Sequence, residues 1–306
     1  MMKKKFIKSC HISLKLFNII KNLEKKKLLK SDYIIPQLKK FINSCKNILD
    51  TDKNIRAIMI HLNPKNSKEI GFSAKTVKSV LEIISNYAGE ILIQNSTNDK
   101  LIEVSDRDRK SSMHKGSRYH QTREGGSIHT DNVNIPEGWD YLMFACLSNS
   151  KAGGETILVD SKVIHKELST KFIQAKKVLE KNFFWEKRGI ADELYKAPII
   201  TYDKKKQPNF RYLRPYLEAA HIKINKKLTT KQLYALDILD ALLETSQFQF
   251  RYKMRKGDIL FNLDSKVLHG RTSFSDALDS ISYSEIGKDE NRLKRTMIRV
   301  WIKNRI

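Results

Sequence analysis

His129 and Asp131 stand two positions apart, and a second histidine, His269, follows far down the chain. In an extended strand residues i and i+2 point to the same face, so His129 and Asp131 can reach one ion while Thr130 points away. His269 can join them only through tertiary structure, from another strand. A chain built around this trio must bring distant strands face to face, and no other feature constrains the fold as much. Two neutral imidazoles and one carboxylate on one face of a metal suit Fe(II), Mn(II) or Co(II) and leave the opposite positions open. The three cysteines, Cys10, Cys45 and Cys146, are scattered and form no C-x-x-C, which argues against a zinc–thiolate centre. The bland alternative is a surface histidine in a glycine-rich turn, and the surrounding residues decide between the two.

At 306 residues the chain can bury a large core, as one domain or as one domain plus an extension. Hydrophobic residues make up 40% and charged residues 30%, but the net charge is +24. That charge comes from lysine runs such as Lys3-Lys4-Lys5, Lys25-Lys26-Lys27 and Lys204-Lys205-Lys206. It implies either an anionic partner, nucleic acid included, or the lysine-rich codon usage of an AT-rich genome. The runs are dispersed and no nucleic-acid module is present, which favours the second reading. Lys8, His11 and Lys15 interrupt the apolar character of the N-terminus, so no signal peptide is expected. No stretch approaches the ~18–20 apolar residues of a membrane span. With scattered cysteines, these features predict a cytoplasmic protein without a membrane partner.

Hydrophobic spacing predicts amphipathic helices within 1–50, a strand at 56–62, and a helix at 73–87 capped by Ser73. A short strand is expected at 90–94. The polar stretch 97–115 reads as a loop beside the site. Short β runs follow at 141–147, 156–159, 198–202, 210–216, 248–252, 258–263 and 296–302. Helices at 161–181 and 229–245 interrupt them. Many short strands with turns predict a mainly β fold with flanking helices around a jelly-roll, or double-stranded β-helix, core.

Four blocks then align in order: Gly125-Gly126-Ser127-Ile128-His129-Thr130-Asp131, Ala152-Gly153-Gly154-Glu155-Thr156, Leu268-His269-Gly270-Arg271-Thr272-Ser273-Phe274, and Arg295-Thr296-Met297-Ile298-Arg299-Val300-Trp301-Ile302. Together they resemble the taurine dioxygenase and clavaminate synthase superfamily of Fe(II)/2-oxoglutarate oxygenases, across about residues 115–303. The resemblance implies His129, Asp131 and His269 as iron ligands, and Thr156 and Arg295 on the distal carboxylate of 2-oxoglutarate. A planar guanidinium offers that carboxylate a bidentate geometry that Lys cannot copy. Arg299, pointing the same way as Arg295, is expected to hold an acidic group of the substrate. The segment between His269 and Arg295 is longer than the family's, with a polar insertion over 276–291, which leaves Arg292, Arg295 and Arg299 as competing anchors. Arg295 is preferred because the apolar run after it reads as a buried strand. Arg271 either binds a carboxylate or locks the turn after His269, and the second is favoured.

The resemblance further implies Fe(II), 2-oxoglutarate and O2 as cofactor and co-substrates, and hydroxylation of an unactivated C–H bond. Residues 1–306 are then one oxygenase domain, 1–50 a helical N-terminal extension packed on it, and 115–303 the jelly-roll catalytic core. Gln121, Asn132, Asn134 and Trp139 are candidate substrate walls. In the predicted strand 210–216, Arg211 and Arg214 alternate in face, and either can clamp a substrate acid. The expected substrate is small and anionic or zwitterionic, a free or carrier-bound amino acid in a biosynthetic pathway, ahead of a sulfonate or other organic acid. A non-catalytic jelly-roll binding protein and a nucleic-acid-modifying oxygenase are the readings from other classes.

Overall fold

The computed structural model describes residues 6–30, 32–66, 71–106, 125–133, 135–187, 191, 193–276 and 294–305. The chain opens with β1 (Ile7–His11), α1 (Leu14–Lys25), α2 (Pro36–Thr51), β2 (Ala57–His61), α3 (Ala74–Ala88), β3 (Glu90–Ile91) and β4 (Ile102–Val104). It continues through β5 (Gly126–His129), β6 (Tyr141–Ser148), β7 (Ala152–Gly153), β8 (Thr156–Asp160), α4 (Ser161–Lys171) and α5 (Ile173–Leu179). Then come β9 (Asn182–Glu186), β10 (Leu194–Pro198), β11 (Ile200–Tyr202), β12 (Pro208–Phe210), α6 (Arg214–Lys223) and α7 (Thr230–Glu244). The last strands are β13 (Gln249–Tyr252), β14 (Asp258–Leu263), β15 (Val267–Arg271), β16 (Phe274–Ser275) and β17 (Thr296–Lys303).

Two sheets face each other. The larger runs β1-β2-β14-β6-β17-β3, with β4 also paired to β17; the smaller runs β13-β8-β15-β5. Alternation along each strand sorts side chains into an inner and an outer set. Met59, Cys146, Leu158, Leu260, Val267 and Met297 point inward and fill the space between the sheets. The outward face of the large sheet, including Ile58, Ile60, Met143, Phe261 and Val300, packs under α1, α2 and α3. Helix α2 shows why: Leu38, Ile42, Cys45 and Leu49 recur at helical spacing and are all buried. Burial of each such aliphatic side chain contributes roughly 1.5–3 kcal/mol. The back of the small sheet is covered by α4 to α7, through Ile157, Val159 and Leu268 against Leu168, Leu179, Leu236 and Leu239. The result is a jelly roll between two helical layers, as expected. No helix among the described residues is long and apolar enough to cross a membrane.

Several elements differ from the sequence reading. Residues 1–50 are not only helical: β1 pairs in parallel with β2, from Ile7 opposite Ala57 to His11 opposite His61. The large sheet therefore draws strands from outside 115–303. The stretch 97–115 contains β4, which pairs with β17 from Val104 opposite Met297 to Ile102 opposite Arg299; residues 107–115 lie outside the described ones. Of the predicted strand 210–216 only Phe210 is in a strand, at the end of β12, because Pro215 seeds helix α6 in its first turn, where its fixed φ and missing N–H are harmless. The predicted helix 161–181 breaks at Phe172, whose φ of −133° is not helical. Ser73 caps α3 by accepting from Thr76 N, and Thr229 with Gln232 forms a full capping box on α7.

Phe261 is fully buried between the large sheet and its helices, 5.3 Å from the Tyr141 ring. Phe261→Ala should therefore cost about 3–5 kcal/mol in a urea titration. A loss under about 1 kcal/mol would mean that this layer is not close-packed.

Candidate metal centre

His129, Asp131 and His269 converge between the sheets, and one ligand atom from each lies within 4.8 Å of the others. His129 and His269 stand directly opposite each other on β5 and β15. Between His269 and Arg271 the register slips, because β5 carries one residue more than β15 over the same stretch. That is a β-bulge, which turns a strand and re-aims its side chains. Ser127 sits in it at φ 47°. The twist brings the Ser127 carbonyl onto the His129 ring, which donates from Nδ1 at 2.6 Å. Nε2 of His129 is left facing Asp131 Oδ1 at 3.4 Å. A hydrogen bond from one ring nitrogen that fixes which other nitrogen is bare is the usual support of a metal-ligating histidine.

Asp131 does not continue the strand, as the i, i+2 argument assumed. β5 ends at His129, and Asp131 sits on the following turn, where Val133 N donates to its carbonyl at 2.8 Å. Thr130 does point away: its hydroxyl accepts from Tyr212 N at 2.9 Å and donates to Asn132 Oδ1 at 2.7 Å. The two carboxylate oxygens of Asp131 have separate partners. Oδ2 accepts from Trp301 Nε1 at 3.0 Å and pairs with Arg299 Nη1 at 3.1 Å. Oδ1 faces the imidazoles, 3.8 Å from His269 Nε2. Burial opposes the charge on Asp131, but Arg299 above all, then His129 and His269, outweigh it and hold the carboxyl below the usual range. Burial, then the neighbouring His129, holds His269 at about 3. Asp264, with no exposed surface, is pushed well above the ordinary value by burial and by the Asp131 charge.

A cavity of about 60 Å³ opens on the trio. Val104, Phe144, Leu260 and Met297 form its apolar belt; Thr156, Arg271 and Arg295 stand on the same cavity wall. Thr156 begins β8 directly opposite Arg271. Gly154 allows Arg295 to approach: its φ is +69°, and a Cβ there would lie 3.0 Å from Arg295 Cδ and Nε. Arg271 and Arg295 both lie over the Phe274 ring, at 5.4 and 5.3 Å from its centroid. Two guanidiniums beside one ring repel each other and favour an anion near both. Arg271 thus lines the cavity, where the sequence had favoured a turn-locking role over a carboxylate-binding one.

Other sequence candidates are placed differently. Arg299 lines the cavity, but it donates from Nε to Gln94 Oε1 at 2.8 Å as well as pairing with Asp131. Arg211 is spent on the carbonyls of Ile135 and Pro136 and on the Tyr195 hydroxyl, and is absent from the cavity lining. Arg214 pairs with Glu218, Asp237 and Asp240 at the start of α6. Asn132 is buried, its backbone amide bound to Asp264. Trp139 stacks on Trp301 at 3.8 Å. Gln121, Asn134 and Arg292 lie outside the described residues. The sequence reading missed Gln94, Asp264 and the support role of Trp301, for which no local motif gives a signal.

The shift of His269 sets a pH dependence for the metal-free protein. Its ordinary value is near 6.5 and its folded value is about 3. Between the two, the unfolded chain binds one more proton than the folded one. The stability contribution is complete above about pH 6.5 and is lost as the pH falls towards 3, at up to about 1.4 kcal/mol per pH unit. Depression of Asp131 adds a loss of the same sign below about pH 4. Asp264, raised on folding, opposes this over the same range, so the difference between proteins isolates the histidine: from about pH 7 to about pH 4 the urea midpoint of the parent should drop relative to that of His269→Gln. Equal slopes in the two proteins would refute the assignment.

The jelly roll itself recurs in solved structures. An asparagine oxygenase, solved with Fe(II), 2S,3S-3-hydroxyasparagine and succinate, superposes with a TM-score of 0.66 at 12% identity, covering 96% of this chain and 93% of that one. The non-heme iron oxygenase OrfP, solved with Fe, succinate and (3S)-hydroxy-L-Arg, gives 0.65 at 14% identity, covering 97% and 94%. PvcB from Pseudomonas aeruginosa gives 0.55 at 14%, covering 85% and 79%. At these identities the likeness is one of fold. No curated protein matches the chain. The family profile described as "Taurine catabolism dioxygenase TauD, TfdA family" matches residues 68–301, and the chain is a dioxygenase belonging to that family.

Proposed function

We propose that the chain is an Fe(II)/2-oxoglutarate-dependent oxygenase that hydroxylates an unactivated C–H bond of a small anionic or zwitterionic substrate, a free or carrier-bound amino acid. The observation that carries this is the convergence of His129, Asp131 and His269 within 4.8 Å on the wall of a cavity that also bears Thr156 and two guanidiniums. The donor set fits the metal: two imidazoles and one carboxylate oxygen on one side, with Asp131 Oδ2 already bonded elsewhere. Bound Fe(II) with 2-oxoglutarate and O2 supplies the oxidising power for C–H hydroxylation, with succinate and CO2 as by-products.

The protein's own residues position and exclude. His129, Asp131 and His269 would hold the metal. Thr156 and Arg295 would bind the distal carboxylate of 2-oxoglutarate, with Arg271 adding positive charge beside them. Val104, Phe144, Leu260 and Met297 keep water from the reacting face and lower the dielectric around it. Arg299 is assigned to Asp131 rather than to a substrate acid, and Arg211 and Asn132 to the structure around the ligand turn. The amino-acid class is supported by the hydroxylated asparagine and arginine bound to the two structural neighbours. This reading takes residues 1–306 as one oxygenase domain. It places the protein in the cytoplasm, in keeping with cysteines that are all free.

Anaerobic addition of Fe(II) and then 2-oxoglutarate should produce a weak visible charge-transfer band in the parent and none in His129→Ala. Arg295→Ala should bind 2-oxoglutarate about 10–100-fold more weakly, as expected on losing a charge-assisted pair. A folded parent without the band would sink the assignment. With the band present, succinate release identifies the amino acid that couples turnover.

A further inference from the structure

Asp264 opens the short helical turn Asp264–Lys266, which leads into β15 and so to His269. Its side chain has no exposed surface. Its two oxygens are used on the other ligand-bearing segment: Oδ1 accepts from Asp131 N at 3.2 Å and Oδ2 from Asn132 N at 2.8 Å. One carboxyl group thus ties the turn that presents Asp131 to the chain that presents His269. The need for such a tie follows from where β5 ends. The ladder that fixes His129 against His269 stops at His129, and Asp131 lies beyond it. On the Asp264 side, Asp264 N donates to the Asp140 carbonyl at 3.2 Å, anchoring the clamp to the start of β6.

We propose that Asp264 is a positioning residue of the metal centre: by bonding two successive amides it holds the Asp131 turn at the height of the two histidines. This rests on the metal reading of the trio. A purely structural Asp264 would lower stability when altered and leave metal affinity unchanged, whereas a positioning residue moves affinity. Support of this kind behind a ligand is worth about 10–100-fold in metal affinity.

Asp264→Asn preserves volume and one carbonyl acceptor, but turns an NH2 group towards one of the two amides. Titration of parent and variant with Co(II), followed by its visible absorption, should show binding about 10–100-fold weaker in the variant. Hydrogen exchange in the metal-free parent should show the Asp131 and Asn132 amides protected like those of β15, and in the variant markedly faster. Variant affinity within about twofold of the parent, even with a lower melting temperature, would overturn the proposal. So would loop-like exchange of both amides in the parent, a result that does not depend on the variant folding. A parent that fails to bind Co(II) would overturn the metal reading, and the positioning role with it. A parent that binds while the variant binds equally well would overturn only the role of Asp264.

Discussion

A buried carboxylate ordinarily takes up a proton, because removal from water penalises its charged form. Asp131 stays ionised because Arg299 pairs with its Oδ2 and two imidazoles face its Oδ1. The rest of the centre serves that balance. Arg299 is held by Gln94 and lies over the Trp301 ring at 4.7 Å, and Trp301 also donates to Asp131. Stacking of Trp301 on Trp139 fixes the indole's plane. Loss of one partner from such a set leaves a buried charge uncompensated, at a cost of about 3–5 kcal/mol. The two oxygens of Asp131 consequently divide their tasks, one secured by the protein and one turned to the ligand site.

The sandwich supplies the levels on which these groups meet. Along the inner face of the large sheet, Arg299, Phe144, Leu260 and Met59 lie side by side across β17, β6, β14 and β2. On the small sheet His129, His269 and Leu158 form the facing row. One row further towards the Thr156 end stand Thr156, Arg271 and Tyr252 on the small sheet and Met297 and Cys146 on the large one. His269 and the Thr156–Arg271 pair therefore occupy neighbouring rows, two residues apart along their strands, because a β-strand repeats its facing every second residue. Rigid ladders on both sides, packed under helices, keep that spacing.

Much of this was legible in the sequence, and what was not has physical causes. His129, Asp131, His269, Thr156 and Arg295, which short blocks of glycine, histidine and arginine mark in the sequence, all line one cavity. Strands β2, β6, β8, β14 and β17 and helices α3 and α7 showed through apolar runs and side-chain caps. Strand β1 was hidden because Ile7–His11 is polar and partly exposed on an edge, so its pairing with β2 leaves no apolar alternation to read. Helix α6 was hidden because aromatic residues and arginines suggested a strand, while Pro215 set the helix start. The roles of Gln94, Asp264 and Arg299 depend on which strands become neighbours, and no local pattern encodes that.

The bulge at Ser127 shows how local strain and chemistry are joined. A non-glycine residue at φ 47° is in the left-handed region, at a cost of roughly 1–2 kcal/mol. A regular strand would avoid that cost, but its carbonyl at this position would point along the ladder rather than onto the His129 ring. With the twist, the Ser127 carbonyl receives the Nδ1 proton, and the lone pair of His129 falls on Nε2, the nitrogen facing Asp131. Past this bulge the ladder ends at His129, and the chain passes into the turn that bears Asp131. A single inserted residue therefore sets which nitrogen of His129 is bare, and the buried Asp264 side chain holds the turn that follows.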